Sequence, residues 1–127
     1  MNTENLSPGR LVTSGAMALA GTFVVEVGIR QAWPFIGFCD DRGKKAREIR
    51  LYIDAPWSIG DTTGDTDSDD KWLMSALQIN NCTVSNVLVD PEFNLRIDLF
   101  NAPSLTVSGK PAATTAGEPW WVGEISG

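Results

Sequence analysis

Apolar and polar residues alternate in several short segments of this chain, a pattern typical of half-buried β-strands. In residues 46–54, Ile49, Leu51 and Ile53 fall on one face, and Arg50 and Tyr52 fall on the other. Other segments are rich in β-branched and aromatic residues, which also favour strands. We predict strands at residues 22–30, 35–39, 46–54, 82–90, 95–100, 104–108 and 120–125, and residues 56–59 extend the sheet after a kink. Gly28, inside the first strand, indicates a bulge or a close backbone approach.

The middle of the chain departs from this pattern. Residues 60–70 contain no apolar side chain and predict a solvated acidic loop. A short helix is predicted near residues 70–79, with a buried stripe of Trp72, Leu73, Ala76 and Leu77. Closely spaced strands with tight turns favour antiparallel pairing. The predicted fold is therefore mainly β, a β-rich α+β class, with an antiparallel sheet rolled into a partial barrel or a two-layer sandwich.

Length and composition set the domain organisation and the compartment. The 127 residues are expected to form a single domain, with residues 1–10 as a loose lead-in. No apolar run is long enough to span a membrane, and residues 11–20 match a signal peptide poorly, so the expected location is the cytoplasm. Cys39 and Cys82 form no CxxC motif, and whether they pair is open.

The residue types available restrict the chemistry. The chain contains no histidine, which removes the commonest general base and the commonest metal ligand. No glycine-rich phosphate loop occurs. We therefore expect no catalytic residues, no metal site and no cofactor. A hydrolase working with two carboxylates is the least favoured alternative, and its candidates are Asp40, Asp54, Asp90 and Asp98.

The aspartates of the acidic loop resemble the opening of an EF-hand calcium loop only in part. Asp65, Asp67 and Asp69 have the right spacing, but Asp70 stands where glycine is required and Ala76 where a bidentate glutamate is required. The net charge of -6 disfavours nucleic acid and anionic membrane surfaces as partners. It favours a basic protein as a partner, and the alternative is that the charge only keeps the protein soluble. The first candidate surface for a basic partner comprises Asp61, Asp65, Asp67, Asp69 and Asp70.

Aromatic residues supply two further candidate sites. Trp120 and Trp121 are adjacent in a predicted strand and therefore point to opposite faces, so one of them can contact a partner or a second copy of the chain. A rolled sheet can also enclose an apolar cavity for a small molecule. The residues proposed to line such a cavity are Phe23, Phe35, Phe38 and Trp57, and the competing interpretation is that they fill the core.

Residues 46–123 resemble a family of small, β-rich, uncharacterised bacterial proteins, some of which act as immunity proteins beside toxin genes. The similarity rests on the order of the strands, on Ala55-Pro56-Trp57 after the third strand, and on a terminal Glu-x-Trp element, here Glu118-Pro119-Trp120. Asn101-Ala102-Pro103 departs from the pattern, which has an acidic residue and glycine at that turn. The resemblance implies binding and neutralisation of a cognate toxin without catalysis.

The sequence thus predicts a non-catalytic protein-interaction module, with an immunity-type inhibitor of a basic toxin as its most specific form. A homodimer is a further expected assembly, since a Trp face can be buried against its own copy. The alternative function is a small-molecule-binding module resembling a β-barrel.

Overall fold

The computed structural model describes residues 15–110 and 117–125, which form two packed antiparallel sheets and a short α-helix between β5 and β6, and residues 15–17 are also helical. The strands of these residues form two separate sheets and no closed barrel, which agrees with the predicted two-layer sandwich and confirms the mainly β fold. The predicted lead-in, residues 1–10, lies outside the described residues. The strands are β1 (Phe23–Arg30), β2 (Trp33–Asp40), β3 (Arg47–Ile53), β4 (Trp57–Ile59), β5 (Thr62–Gly64), β6 (Val84–Val89), β7 (Leu95–Leu99), β8 (Leu105–Val107) and β9 (Trp120–Ile125).

The first sheet has the order β1-β2-β3-β9, and the second has the order β5-β4-β8-β7-β6. In the first sheet Leu51 pairs with Ile36 on one side and with Val122 on the other. The alternation predicted for β3 is confirmed, because Ile49, Leu51 and Ile53 are buried. Their face points into the core that both sheets share, and the side chains at the intervening positions form an outer face.

A kink after β3 carries the chain from one sheet to the other. The backbone N–H of Asp54 donates to the carbonyl oxygen of Pro119 at 2.8 Å, which extends the β3–β9 pairing. Two residues later, the Pro56 carbonyl accepts a hydrogen bond from Ser108 and extends the pairing of β4 with β8. The predicted extension of the sheet after a kink is therefore real, but it forms part of the second sheet.

The helix, α1 (Asp69–Ala76), continues as a 3-10 turn at Leu77–Ile79, as predicted for residues 70–79. Its buried residues are Trp72, Ser75 and Ala76. The predicted stripe is wrong at Leu73 and Leu77, which are exposed. Neighbouring helical positions lie about 100° apart, so a short helix that packs through Trp72 and Ala76 turns the next positions outward.

Two further expectations are corrected by strand pairing. Thr62–Gly64, inside the predicted acidic loop, forms the edge strand β5 against β4. In β6 the register shifts between Val84 and Asn86, so Val84 and Val87 are both buried although strict alternation placed them on opposite faces. Gly28 does not form a bulge; a Cβ there would stand 3.0 Å from the Phe35 ring, which makes it the predicted close approach.

The turn between β6 and β7, in the second sheet, packs against β9 of the first sheet. Phe93 has a positive φ of 66°, and Trp120 of β9 stacks on its ring at 4.2 Å between centroids. The Trp120 indole N–H also donates to the Phe93 carbonyl oxygen at 2.9 Å. A Cβ on Gly109 would lie 2.1 Å from the Glu92 carbonyl oxygen, so only glycine fits against this turn.

Cys39 and Cys82 are free thiols. Within the described ranges, no helix is long and apolar enough to cross a membrane.

Candidate functional site

The five candidate aspartates are all exposed. Asp61 lies in the turn between β4 and β5, apart from the other four, which follow β5 and lead into α1. Asp65 shapes the turn between β5 and α1, because its carboxylate accepts hydrogen bonds from the Asp67 N–H and the Ser68 hydroxyl, both at 3.3 Å. Its carbonyl oxygen accepts a bond from the Trp57 indole at 3.2 Å. Asp69 and Asp70 occupy the first turn of α1, where carboxylates interact favourably with the helix dipole.

The carboxylates of Asp65 and Asp67 interact with each other. The neighbouring Asp65 carboxylate raises the pKa of Asp67, and the same contact, with the Asp67 N–H, lowers the pKa of Asp65. Asp67 is therefore protonated at a higher pH than Asp65 as the solution is acidified. In residues 15–110 and 117–125, no group of three Cys, Asp or Glu side chains could hold a metal ion.

Beside these aspartates, the outward side of α1 exposes apolar side chains. Leu73, Met74 and Leu77 retain 38%, 75% and 62% of their accessible surface. Three large apolar residues exposed within five positions contrast with the buried Trp72 and Ala76 of the same helix. We call Asp65, Asp67, Asp69, Asp70, Leu73, Met74 and Leu77 the acidic–apolar surface.

The two adjacent tryptophans occupy opposite faces of the first sheet. Trp120 is fully buried in the core, which removes it from the residues able to contact a partner. Trp121 is half-buried on the outer face. Its ring stacks on Tyr52 at 5.5 Å between centroids and meets Trp33 edge-to-face at 5.2 Å. Trp121 is thus part of an aromatic cluster that continues from Tyr52 to Phe35.

The four residues predicted to line a cavity do not border one space. Phe35 and Phe38 are three positions apart on an unbroken strand, so their side chains point to opposite faces of the sheet. Phe38 and Trp57 are buried in the core. Phe35 lies on the outer face, under the guanidinium of Arg50 at 4.9 Å.

Three of the four candidate catalytic carboxylates are held by hydrogen bonds with structural roles. Asp90 accepts bonds from the backbone N–H groups of Glu92 and Asn94, both at 2.9 Å. Asp98 accepts from the Ser104 hydroxyl at 2.6 Å and from Arg96 at 2.8 Å. These contacts lower the pKa of both groups, whereas a general acid needs a raised pKa.

The third carboxylate, Asp40, should make the free energy of unfolding depend on pH in the acid range. Hydrogen bonds from the Arg42 side chain and backbone lower the pKa of Asp40 from 3.8 to about 2. A carboxylate with a depressed folded-state pKa stabilises the fold above its unfolded pKa, and this contribution is lost as the pH falls through the folded pKa. We expect Asp40→Asn to flatten the fall in unfolding free energy between pH 4 and pH 2, measured by urea denaturation. Asp41→Asn is the matched control, and an equal flattening by both variants would contradict the assignment.

Asp54 differs from the other three carboxylates. Burial raises its pKa, and a hydrogen bond with the Trp33 side chain opposes that effect. It borders a cleft of about 250 Å³ whose other walls are Trp33, Trp121, Gly117 and Glu118. We call this the Trp33–Trp121 cleft. Sequence reasoning named Asp54 and Trp121 separately, and it missed Trp33 because no local pattern joins residues of β2, β3 and β9.

A larger groove of about 720 Å³ crosses one end of the same sheet. Its walls carry acidic and basic groups together, among them Glu26, Glu48 and Lys45. Arg47 and Glu124 form an ion pair there, with Nε and Oε1 2.8 Å apart. The mixed charges select no particular class of ligand.

No protein-family model, no curated protein and no solved structure matches this chain.

Proposed function

We propose that this chain is a non-catalytic protein-interaction module that binds a basic protein, in the way that an immunity protein neutralises a toxin. The observation that carries the proposal is the acidic–apolar surface, where exposed aspartates stand directly beside exposed Leu73, Met74 and Leu77. Protein interfaces combine an apolar centre, which supplies affinity, with a polar rim. Charge complementarity at the rim mainly speeds encounter and selects the partner.

The net charge of -6 supports a basic partner, because the long-range field of an acidic protein raises its encounter rate with a cation. The free thiols of Cys39 and Cys82 support the cytoplasm as the compartment, since disulfides are rare there. The resemblance of residues 46–123 to a family with immunity proteins supports the same kind of partner.

The test is capture of partners from the source organism's lysate, followed by association kinetics with the purified partner. The charge variant is Asp67→Lys with Asp70→Lys, and its control is Asp41→Lys with Glu92→Lys. Each replacement adds two charge units, so both pairs change the net charge from -6 to -2. We expect a single basic protein whose association rate falls roughly tenfold with the first pair and much less with the control.

A second pair of variants tests the apolar part of the surface. Met74→Ser should raise the dissociation rate, because it removes an exposed apolar contact at the centre of the interface. Leu88→Ser is the control, since Leu88 is 51% exposed on β6. Equal effects of test and control variants in both experiments, or recovery of nothing but the chain itself, would refute the proposal.

A further inference from the structure

The Trp33–Trp121 cleft combines aromatic walls with carboxylates. The two indole planes stand at 85° to each other, so they form adjacent walls of one corner. In an edge-to-face pair, the ring that contributes its edge keeps both of its faces outside the contact. Tyr52 covers only one face of Trp121, so at least one indole face remains to line the cleft.

Asp54 and Glu118 are among the residues that line the same cleft, although most of its surface is apolar, and the Asp54 side chain also has a hydrogen bond with Trp33. Asp54 directly follows β3, opposite the start of β9, because its N–H bonds the Pro119 carbonyl oxygen. Arg30 lines a separate cleft that shares Trp33 and Trp121. The Trp33–Trp121 cleft itself therefore has two acidic side chains and no basic one among its described walls.

We propose that the Trp33–Trp121 cleft binds an organic cation, an ammonium or guanidinium group with its attached methylenes. Indole faces attract cations through the ring quadrupole, and this attraction is strongest where the cation is partly desolvated. The negative charge of the two acidic residues beside the cleft favours a cation over an anion, and the apolar walls contact the methylene groups.

The size of the cleft agrees with a group of this kind. Its volume of about 250 Å³ is below the range of roughly 300–1,000 Å³ that is usual for whole small-molecule ligands. It corresponds to the space of about eight water molecules, at roughly 30 Å³ each. A lysine or arginine side chain is smaller than this space and fits inside it, and so does a small free alkylammonium ion.

This site lies apart from the acidic–apolar surface and does not require it. The experiment therefore uses defined probes rather than a captured partner. The probes are N-acetyl-lysine methylamide, tetramethylammonium and the peptide Gly-Gly-Lys-Gly-Gly, and N-acetyl-norleucine methylamide is the uncharged control. Binding is followed through the indole N–H signals of Trp33 and Trp121 in two-dimensional NMR spectra.

We expect saturable shifts of these two signals with the cations and none with the norleucine compound. The fully buried Trp72 and Trp120 serve as internal references whose signals should stay in place. Tighter binding of the peptide than of tetramethylammonium would assign the cation to a polypeptide side chain, and the reverse order would assign it to a free small cation. Absence of saturable shifts with every cation would overturn the proposal.

Glu118→Gln tests the carboxylate without changing the size of the side chain. Because Glu118 is exposed, the fold should tolerate the change, and affinity for the lysine compound should fall roughly fivefold. Glu92→Gln, in the turn between β6 and β7, should leave the affinity unchanged. Equal affinity of the wild type and Glu118→Gln would show that Glu118 does not contribute to the site. If Trp33→Leu also bound the lysine compound with unchanged affinity, the proposal that this cleft binds a cation would be refuted.

Discussion

Replacing Trp72 with alanine should lower the free energy of unfolding by about 3–5 kcal/mol, because it leaves a large cavity between helix and sheets. Trp72 is fully buried, and its ring meets Trp57 edge-to-face at 5.1 Å between centroids. Its indole N–H donates to the Gly28 carbonyl oxygen at 2.9 Å. The loss is measured from the midpoint of urea unfolding with a constant slope.

The same helix supplies the control. Met74→Ala removes a large apolar side chain that is 75% exposed, so it should change stability by less than about 0.5 kcal/mol. If the two variants lost similar amounts, the packing face assigned to α1 would be wrong.

Replacing Trp120 with alanine should cost a similar amount, about 3–5 kcal/mol, for a different structural reason. Trp120 joins β9 to the turn between β6 and β7, so its loss loosens the contact between the two sheets. Trp120→Phe separates the two contributions. It retains a ring against Phe93 but leaves the Phe93 carbonyl oxygen without this donor, which should cost about 1–3 kcal/mol.

The neighbouring tryptophan is the control for this experiment. Trp121→Ala removes the same side chain from the half-buried outer face and should destabilise the fold clearly less than Trp120→Ala. A larger loss for Trp121 would mean that the core lies on the other side of β9. Both losses are read from the same urea unfolding experiment.

Most of the strands could be predicted because they bury one face, so that apolar residues recur at every second position in the sequence. Ile49, Leu51 and Ile53 show this most clearly. The edge strand β5 left no such signal, since Thr62–Gly64 pairs through its backbone and none of its side chains is buried. The bulge in β6 was equally hidden, because a shift of one residue depends on the partner strand and not on the residues that it displaces.

Of the candidate sites, one could be predicted from the sequence and one could not. The aspartates of residues 61–70 are contiguous, so composition was enough to find them. The Trp33–Trp121 cleft joins side chains 88 positions apart in the chain and brings them together only through the order β2-β3-β9. A pattern within ten or fifteen residues cannot indicate a contact between residues so far apart, so the cleft could be found only from the strand register.

The pairing of β3 with β9 also bears on the order of events in folding. Ile49 and Glu124 are direct partners although 75 residues separate them, and contacts so distant in sequence must overcome a large loop-closure entropy before they stabilise anything. On a ribosome, β1, β2 and β3 emerge well before β9 and can form their hairpins first. Until residues 120–125 follow, the far edge of β3 has no partner and the place of Trp120 in the core stays unfilled. A nascent chain at that stage is exposed to edge-to-edge association until one short strand covers this edge.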